Sequence, residues 1–199
     1  MNSLALFDFD GTITSRDSLL DFHVFAFGAG RVATELLRQA PWLGAYKLGL
    51  ISNAAAKQRL LAAFWQGRSH ADLAEAGRTY ALSRIDAILR PVAAARLRWH
   101  RERSHEIAVV SASPPEWIEP WCKANGIPTM IGTLLELDAD GKLTGRLATP
   151  NCHGPEKVRR IREHFNLADY ASVYAYGDSR GDHEMLSLAD HPTYRWRNR

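Results

Sequence analysis

The chain has 199 residues, of which 46% are hydrophobic and 24% charged, and its formal net charge is +3. This length allows one large domain or a core domain with one smaller insertion, and the composition is that of a globular protein. Its basic residues are interspersed with acidic ones, so the sequence does not favour a nucleic-acid-binding protein.

No apolar run reaches the length of about 18 residues that a membrane-spanning helix needs, and no signal-peptide pattern opens the chain. The two cysteines, Cys122 and Cys152, lack the paired spacing of a metal site and indicate reduced thiols. We therefore expect a cytoplasmic protein.

The first predicted element is a buried parallel strand over residues 4–7, followed by Asp8, Asp10, Gly11 and Thr12. Side chains alternate along a strand, so the two carboxylates point to the same side. At about 4 Å and an effective dielectric near 20, their repulsion is roughly 4 kcal/mol. This pattern predicts a bound cation, for which Mg²⁺ is the best candidate because it prefers oxygen ligands. The alternative is that both aspartates cap a turn.

The next predicted block is helical and runs from Asp17 to about Arg90. Asp17, Asn53 and Ser69 are placed to cap three of its helices. Because no second strand interrupts this block, it predicts an insertion over the carboxyl edge of a sheet. A lid over an active site belongs at that edge.

Strands and helices alternate through the remainder of the chain. A helix is predicted over 92–103 and another over 116–125, and two strands flank a hairpin turn at 138–141. The other strands are predicted at 106–111, 129–131, 171–176 and 193–196. The order predicts an α/β protein whose parallel sheet has helices on both faces.

Polar residues follow several of these strands or begin a helix. Ser111 ends the second main strand, and Asp178 and Asp182 follow a later one. Lys157 begins a helix, where the dipole is already positive, so it is well placed only if it faces an anion. The alternatives are a helix cap for Ser111, a surface position for Lys157 and a tight turn for Asp178.

Together these residues resemble the motifs of the haloacid dehalogenase superfamily of phosphohydrolases. The residues that carry the resemblance are Asp8-Phe9-Asp10-Gly11-Thr12, Ser111, Lys157 and the segment from Gly177 to Asp182. The resemblance implies a Rossmann-like core formed by residues 1–14 and 91–199. Residues 15–90 would form an inserted helical cap of the C1 type found in the phosphoserine-phosphatase-like branch.

The resemblance also implies a Mg²⁺-dependent phosphomonoester hydrolase. Asp8 would be the nucleophile that forms an aspartyl-phosphate, and Asp10 the general acid and base. Asp8, Asp178 and the backbone carbonyl of Asp10 would hold Mg²⁺. Ser111 and Lys157 would bind phosphate oxygens, and Asp182 would support the metal shell or orient Lys157.

The cap should determine which phosphorylated metabolite binds. In phosphoserine phosphatases an acidic residue meets the substrate amine and an arginine meets its carboxylate; Asp17 and Arg59 are the candidates here. The alternative is that Asp17 caps a helix and Arg59 is a surface charge. The Ser111-Ala112-Ser113 run differs from the serine-glycine-glycine usual in those enzymes, which weakens the case for a free amino acid substrate.

Three other functions compete with this prediction. A lipid phosphate phosphatase of the phosphatidylglycerophosphatase type would use the apolar segment 40–51 to dock on a membrane surface. This segment contains Trp42, Leu43, Tyr46, Leu48, Leu50 and Ile51. A phosphoaspartate signalling domain and a phosphate-binding module without turnover are the other two.

Overall fold

The structure, a computed structural model, describes residues 2–198. One sheet contains six strands in the spatial order β3-β2-β1-β6-β7-β8. They are β1 (Leu4–Phe7), β2 (Glu106–Val110), β3 (Thr129–Ile131), β6 (Val173–Gly177), β7 (His191–Tyr194) and β8 (Arg197–Asn198). A separate antiparallel hairpin is formed by β4 (Leu135–Leu137) and β5 (Leu143–Leu147).

The central strand β1 is paired in parallel with β2 on one side and with β6 on the other. Phe7 lies opposite Val109 and Tyr176, so all three strands end at the same edge. β3 and β7 extend the sheet in parallel, and β8 alone of these six strands is antiparallel. The parallel α/β sheet predicted from the sequence is confirmed.

Nine α-helices occur in the described residues 2–198. They are α1 (Ser18–Phe27), α2 (Ala29–Arg38), α3 (Ala40–Lys47), α4 (Asn53–Trp65), α5 (His70–Ile88), α6 (Pro91–Glu102), α7 (Glu119–Ala124), α8 (Pro155–His164) and α9 (His183–Leu186). None of these helices is both long and apolar enough to cross a bilayer.

Helices α1 to α5 fill the interval between β1 and α6. Asp17 caps α1 through the backbone N–H of Leu20, and Ser69 caps α5 as expected. The predicted cap of α4 was wrong by one residue: Ser52 accepts the capping bond from Ala55, and Asn53 is the first helical residue. A serine hydroxyl reaches the third amide of a helix as well as an asparagine side chain does.

The chain enters and leaves this helical block at one point. Ser15 donates its backbone N–H to the Ile88 carbonyl at 2.8 Å, and Arg90 donates to the Ile13 carbonyl at 2.9 Å. Thr14 and Leu89 form an isolated antiparallel bridge between these bonds. The block therefore begins where β1 ends, beside Asp8 and Asp10.

The core lies on both faces of the sheet because alternate side chains of β1 point in opposite directions. Leu4 and Leu6 pack in one apolar cluster with Ile161 of α8, whereas Ala5 and Phe7 pack in the other with Trp117. All four β1 side chains are fully buried, as a continuous apolar strand in a parallel sheet predicts.

The hairpin β4–β5 packs against α4. Gly145 has a positive φ of 81°, and a Cβ added there would lie 2.6 Å from the Ala62 side chain. The Gln58 side chain accepts a hydrogen bond from the Leu147 backbone at 3.0 Å. The hairpin thus supports the helix that carries Lys57.

Two further sequence predictions need correction. The helix expected over 116–125 is divided into a 3₁₀ turn, Pro115–Trp117, and α7, because Pro120 lacks an N–H for a continuous helix. The last predicted strand begins two residues earlier, at His191, and ends at Tyr194 because Arg195 and Trp196 adopt positive φ angles of 50° and 57°.

Candidate active site

Asp8 and Asp10 lie where β1 ends, and both line a cavity of about 560 Å³. The chain turns sharply over Phe9–Ile13, with Gly11 at a φ of 84°. Asp8 remains attached to the sheet edge, since its backbone N–H donates to the Tyr176 carbonyl at 2.9 Å. The two carboxylates predicted to converge therefore border one cavity.

Asp8 forms a buried ion pair with Lys157 of α8. The Lys157 ammonium donates to the carboxylates of Asp8 and Asp182 and to the Val110 carbonyl, each at 2.7 Å. Lys157 is only 2% exposed, so it is not a surface lysine. Burial opposes its charge, but Asp8 and Asp182 outweigh this effect and raise the pKa of Lys157.

For the Asp8 carboxyl, burial has a larger effect on the pKa than the neighbouring positive charge. Burial raises its pKa to about 7 against the attraction of Lys157, and the negative charges of Asp182 and Asp10 add to this rise. More positive charge beside Asp8 would therefore stabilise its ionised form.

Asp178 and Asp182 lie in the loop after β6. The Thr12 hydroxyl donates to Asp178 at 3.4 Å. Asp182 accepts hydrogen bonds from the backbone N–H groups of Asp178 and Ser179 and from the Ser179 hydroxyl. Although burial acts in the other direction, Lys157 and Ser179 lower the pKa of Asp182, whereas burial and then Asp182 raise that of Asp178.

This cluster fits a hard divalent cation. One carboxylate oxygen from each of Asp8, Asp178 and Asp182 lies within 4.8 Å of the others, and all three are the oxygen donors that Mg²⁺ prefers. Gly11 makes room for them, because a Cβ there would lie 2.4 Å from an Asp178 carboxylate oxygen.

Asp10 contacts different groups from Asp8. One of its carboxylate oxygens accepts the Ser18 backbone N–H at 2.6 Å. The other accepts the hydroxyls of Ser113 at 2.7 Å and of Ser111 at 3.5 Å. These bonds hold the side chain at the cavity between the start of α1 and the loop after β2.

Ser111 and Ser113 form a small hydroxyl pair at the end of β2. The Ser113 backbone N–H donates to the Ser111 hydroxyl at 3.0 Å, and both residues are buried at the cavity wall. Ser111 thus lines the same cavity as Asp8, Asp10 and Lys157, and its contact with a phosphate stays a prediction.

Asp17 caps α1 and also lines the cavity. Its role as a helix cap therefore does not exclude the predicted contact with a substrate amine. Burial and then the charge of Asp10 raise its pKa to about 6. Arg59 lies elsewhere: its guanidinium is 3.5 Å from the centre of the Trp42 ring, and it lines a different groove beside Gln58 and Arg146. The structure does not bring Arg59 to the cavity.

Several cavity residues were not anticipated from the sequence. Lys57, Asn53, Ser113, His153 and Ser179 all line the cavity. Lys57 carried a usable signal, because it lies three and four residues before Leu60 and Leu61 and so shares their buried helical face. Ser113 and His153 lie in loops, where no periodicity indicates which side chains face inward.

The comparisons with known proteins agree with this geometry. The family model for haloacid dehalogenase-like hydrolases matches residues 5–187. Protein CicA of Caulobacter vibrioides is 37% identical over 196 residues, covering 96% of this chain and 85% of that protein. A histidinol-phosphatase of Neisseria meningitidis serogroup C is 28% identical, covering 96% of this chain and 89% of the relative.

Solved structures show the same architecture. A protein of unknown function from Bordetella pertussis Tohama I superposes with a TM-score of 0.82 and 26% identity, covering 98% of this chain and 89% of that chain. A phosphoserine phosphatase in its apo form covers 98% of this chain and 86% of its own, with a TM-score of 0.61 and 18% identity. At that identity the likeness is one of fold.

Proposed function

This chain belongs to the haloacid dehalogenase-like hydrolase family, and on that premise we propose that it is a Mg²⁺-dependent phosphomonoesterase acting through an aspartyl-phosphate. The observation that carries the proposal is the buried Asp8–Lys157 pair, 2.7 Å apart, at the wall of the cavity that Asp10 also lines. An ammonium beside a nucleophilic carboxylate offsets the charge of an approaching phosphate.

The residues suit two successive displacements at phosphorus. An Asp8 carboxylate oxygen attacks in line and forms an aspartyl-phosphate, while the bond to the leaving oxygen breaks. Asp10 gives that oxygen its proton. Asp10 then takes a proton from water, which attacks phosphorus, and the bond to Asp8 breaks to release phosphate. Ser111 and Lys157 bind the non-bridging oxygens during both steps.

In this proposal Asp8, Asp178 and the backbone carbonyl of Asp10 would hold the metal. The Asp10 carboxylate accepts hydrogen bonds from Ser18 and Ser113 and is not one of the three clustered carboxylates, so we assign it to proton transfer and not to the metal. A bound Mg²⁺ would offset the repulsion between phosphate and nucleophile. Asp182 supports the site by orienting Lys157, with which it forms a buried ion pair at 2.7 Å.

We propose that residues 15–90 form the helical cap and residues 1–14 and 91–199 the catalytic core. The cap would supply Asp17 for an amine of the substrate. Its apolar cavity residues would contact the remainder of that molecule; they are Leu19, Leu20, Leu36, Ala56 and Leu60. A small amine-bearing phosphomonoester is also consistent with the names of one relative, a histidinol-phosphatase, and of one neighbour in fold, a phosphoserine phosphatase.

Exposed apolar residues that are close in sequence to cavity residues favour one second candidate, a lipid phosphate. Leu37, Leu48 and Leu50 are 76%, 78% and 74% exposed, and Leu36 and Asn53, close to them in sequence, line the cavity. Such residues suit contact with a membrane surface. The side chains of Leu43 and Tyr46, in the same predicted segment, lie outside those that the structure describes.

The test is phosphate release from a panel containing phosphoserine, histidinol phosphate, sugar phosphates, nucleotides and phosphatidylglycerophosphate vesicles, with and without Mg²⁺. We expect Mg²⁺-dependent turnover that is highest for a small amine-bearing ester. A preference for the vesicles would favour the lipid function. Phosphate binding without release from any ester would contradict the proposal and favour a signalling or binding module.

A further inference from the structure

Lys57 of α4 is a buried cation at the cavity, and the proposed reaction assigns it no role. Its side chain is only 7% exposed, and the residue lines the cavity together with Asp8, Asp10 and Lys157. Taking an ammonium out of water is costly unless polar groups replace the solvent. The placement of Lys57 therefore needs an explanation in the groups that it contacts.

The Lys57 ammonium contacts two different core loops. It donates to the Ala112 backbone carbonyl at 2.6 Å and to the Asn151 side-chain oxygen at 2.7 Å. Ala112 lies between Ser111 and Ser113, in the loop after β2. Asn151 lies in the loop that leads into α8 and Lys157.

Asn151 is itself fixed on two further sides. Its side-chain nitrogen donates to Asn53 at 3.0 Å, and its oxygen also accepts the Thr133 hydroxyl at 3.2 Å. Lys57 and Asn53 both belong to α4, so this helix forms two hydrogen bonds with the Asn151 side chain. This network spans the cap and the core beside the cavity.

The loop held by Lys57 also orients Asp10. The Ser113 hydroxyl donates to the Asp10 carboxylate at 2.7 Å, and the Ser113 backbone N–H donates to Ser111 at 3.0 Å. A shift of the Ala112 peptide would move both serines. The contacts thus form a continuous path from Lys57 through Ala112 and Ser113 to Asp10.

We propose that Lys57 is a positioning residue that ties α4 to the Ser111–Ser113 loop and the Asn151 loop, and thereby aligns Asp10 with the bound phosphomonoester. The inference rests on the proposed phosphatase function. Because Lys57 acts through other residues, its loss should reduce kcat more than it changes KM.

The first experiment removes the ammonium and then replaces it from solution. Lys57→Ala should lower kcat for p-nitrophenyl phosphate by about 10- to 100-fold, the size of effect expected when a reacting group is displaced by up to about 1 Å, with KM within about threefold. Added n-propylammonium should restore part of kcat, whereas tetramethylammonium, which has no N–H donor, should not. Lys123→Ala, at an exposed surface ion pair of α7, is the matched control.

The second experiment tests the path. In a Ser113→Ala background the same Lys57→Ala change should cost much less activity than in the wild type, because the link to Asp10 is already broken. If the double variant lost activity by the full product of the two single-variant decreases, the inference would be overturned. A wild-type kcat in Lys57→Ala, or equal rescue by both cations, would overturn it as well. Failure of the proposed function is a separate result, seen as an inactive wild type.

Discussion

The Lys157 ammonium lies 2.7 Å from the Asp8 carboxylate, and both groups are buried where β1 meets the cavity. The pair connects the first strand with a helix that begins almost 150 residues later in the chain. It gives the proposed nucleophile a fixed partner and an approaching phosphate a fixed cation.

The first prediction concerns the nucleophile. Asp8→Asn keeps the shape of the side chain but removes its negative charge, so we expect phosphate release to fall by roughly 10³-fold or more. The fold should survive, because Lys157 retains its ion pair with Asp182. Phosphate release and circular dichroism measure the two outcomes. Asp140→Asn, in the exposed hairpin turn, removes the same charge without contacting the site; activity retained by Asp8→Asn would exclude Asp8 as nucleophile.

The second prediction concerns the metal. Chelation by EDTA should abolish turnover, and Mg²⁺ at about 100 times its Kd should stabilise the wild type by about 2.7 kcal/mol. For a chain of this size that is an increase in Tm of roughly 5–10 °C. Asp178→Asn should remove most of the increase in thermal scans, because Asp178 belongs to the carboxylate cluster. An undiminished shift in this variant would place the ion elsewhere.

Most of the site was predictable because a parallel sheet brings its strand ends together. Asp8, Ser111 and Asp178 follow β1, β2 and β6, which are adjacent in the sheet. The prediction of a parallel sheet already placed these strand ends along one edge, whereas the spatial order of the strands came only from the structure. Lys157 could be expected there because a cation at a helix start needs an anionic partner.

The cavity residues of the helical block were harder to predict because a residue's position on a helix depends on what the helix packs against. Lys57 and Arg59 are two positions apart, which is about 200° around an α-helix. They therefore lie on nearly opposite faces. Chemical similarity to the phosphoserine-phosphatase arginine favoured Arg59, but the apolar face containing Leu60 and Leu61 carries Lys57 into the cavity.

The third prediction uses Gly11. Alanine at this position places a Cβ 2.4 Å from the Asp178 carboxylate and also strains a backbone with a φ of 84°. Gly126→Ala is a matched control, because Gly126 has a φ of 65° and open space around it. We expect both variants to lose some stability, but only Gly11→Ala to lose the Mg²⁺-induced increase in Tm and most of kcat. Equal effects in the two variants would show that backbone strain alone is responsible.

The last prediction concerns acid stability and a histidine away from the carboxylates. His23 of α1 is fully buried; its ring contacts the Leu19 carbonyl and accepts the Trp65 indole N–H at 3.2 Å. Burial lowers its pKa to about 4, so the unfolded chain takes up this proton first as the pH falls. The contribution of neutral His23 is complete above about pH 6.5 and is lost as the pH falls towards 4, by about 2 kcal/mol at pH 5.

Urea unfolding at pH 7.5 and pH 5 measures this loss. His23→Gln keeps a hydrogen-bond acceptor for Trp65 but cannot take up a proton, so its free energy of unfolding should fall by about 2 kcal/mol less than that of the wild type. His164→Gln, on the exposed surface of α8, is the matched control. Because raised carboxyl pKa values such as that of Asp17 act in the opposite direction, the difference between variant and wild type is the decisive quantity. Parallel pH dependences for His23→Gln and the wild type would show that His23 is protonated as readily in the fold as outside it.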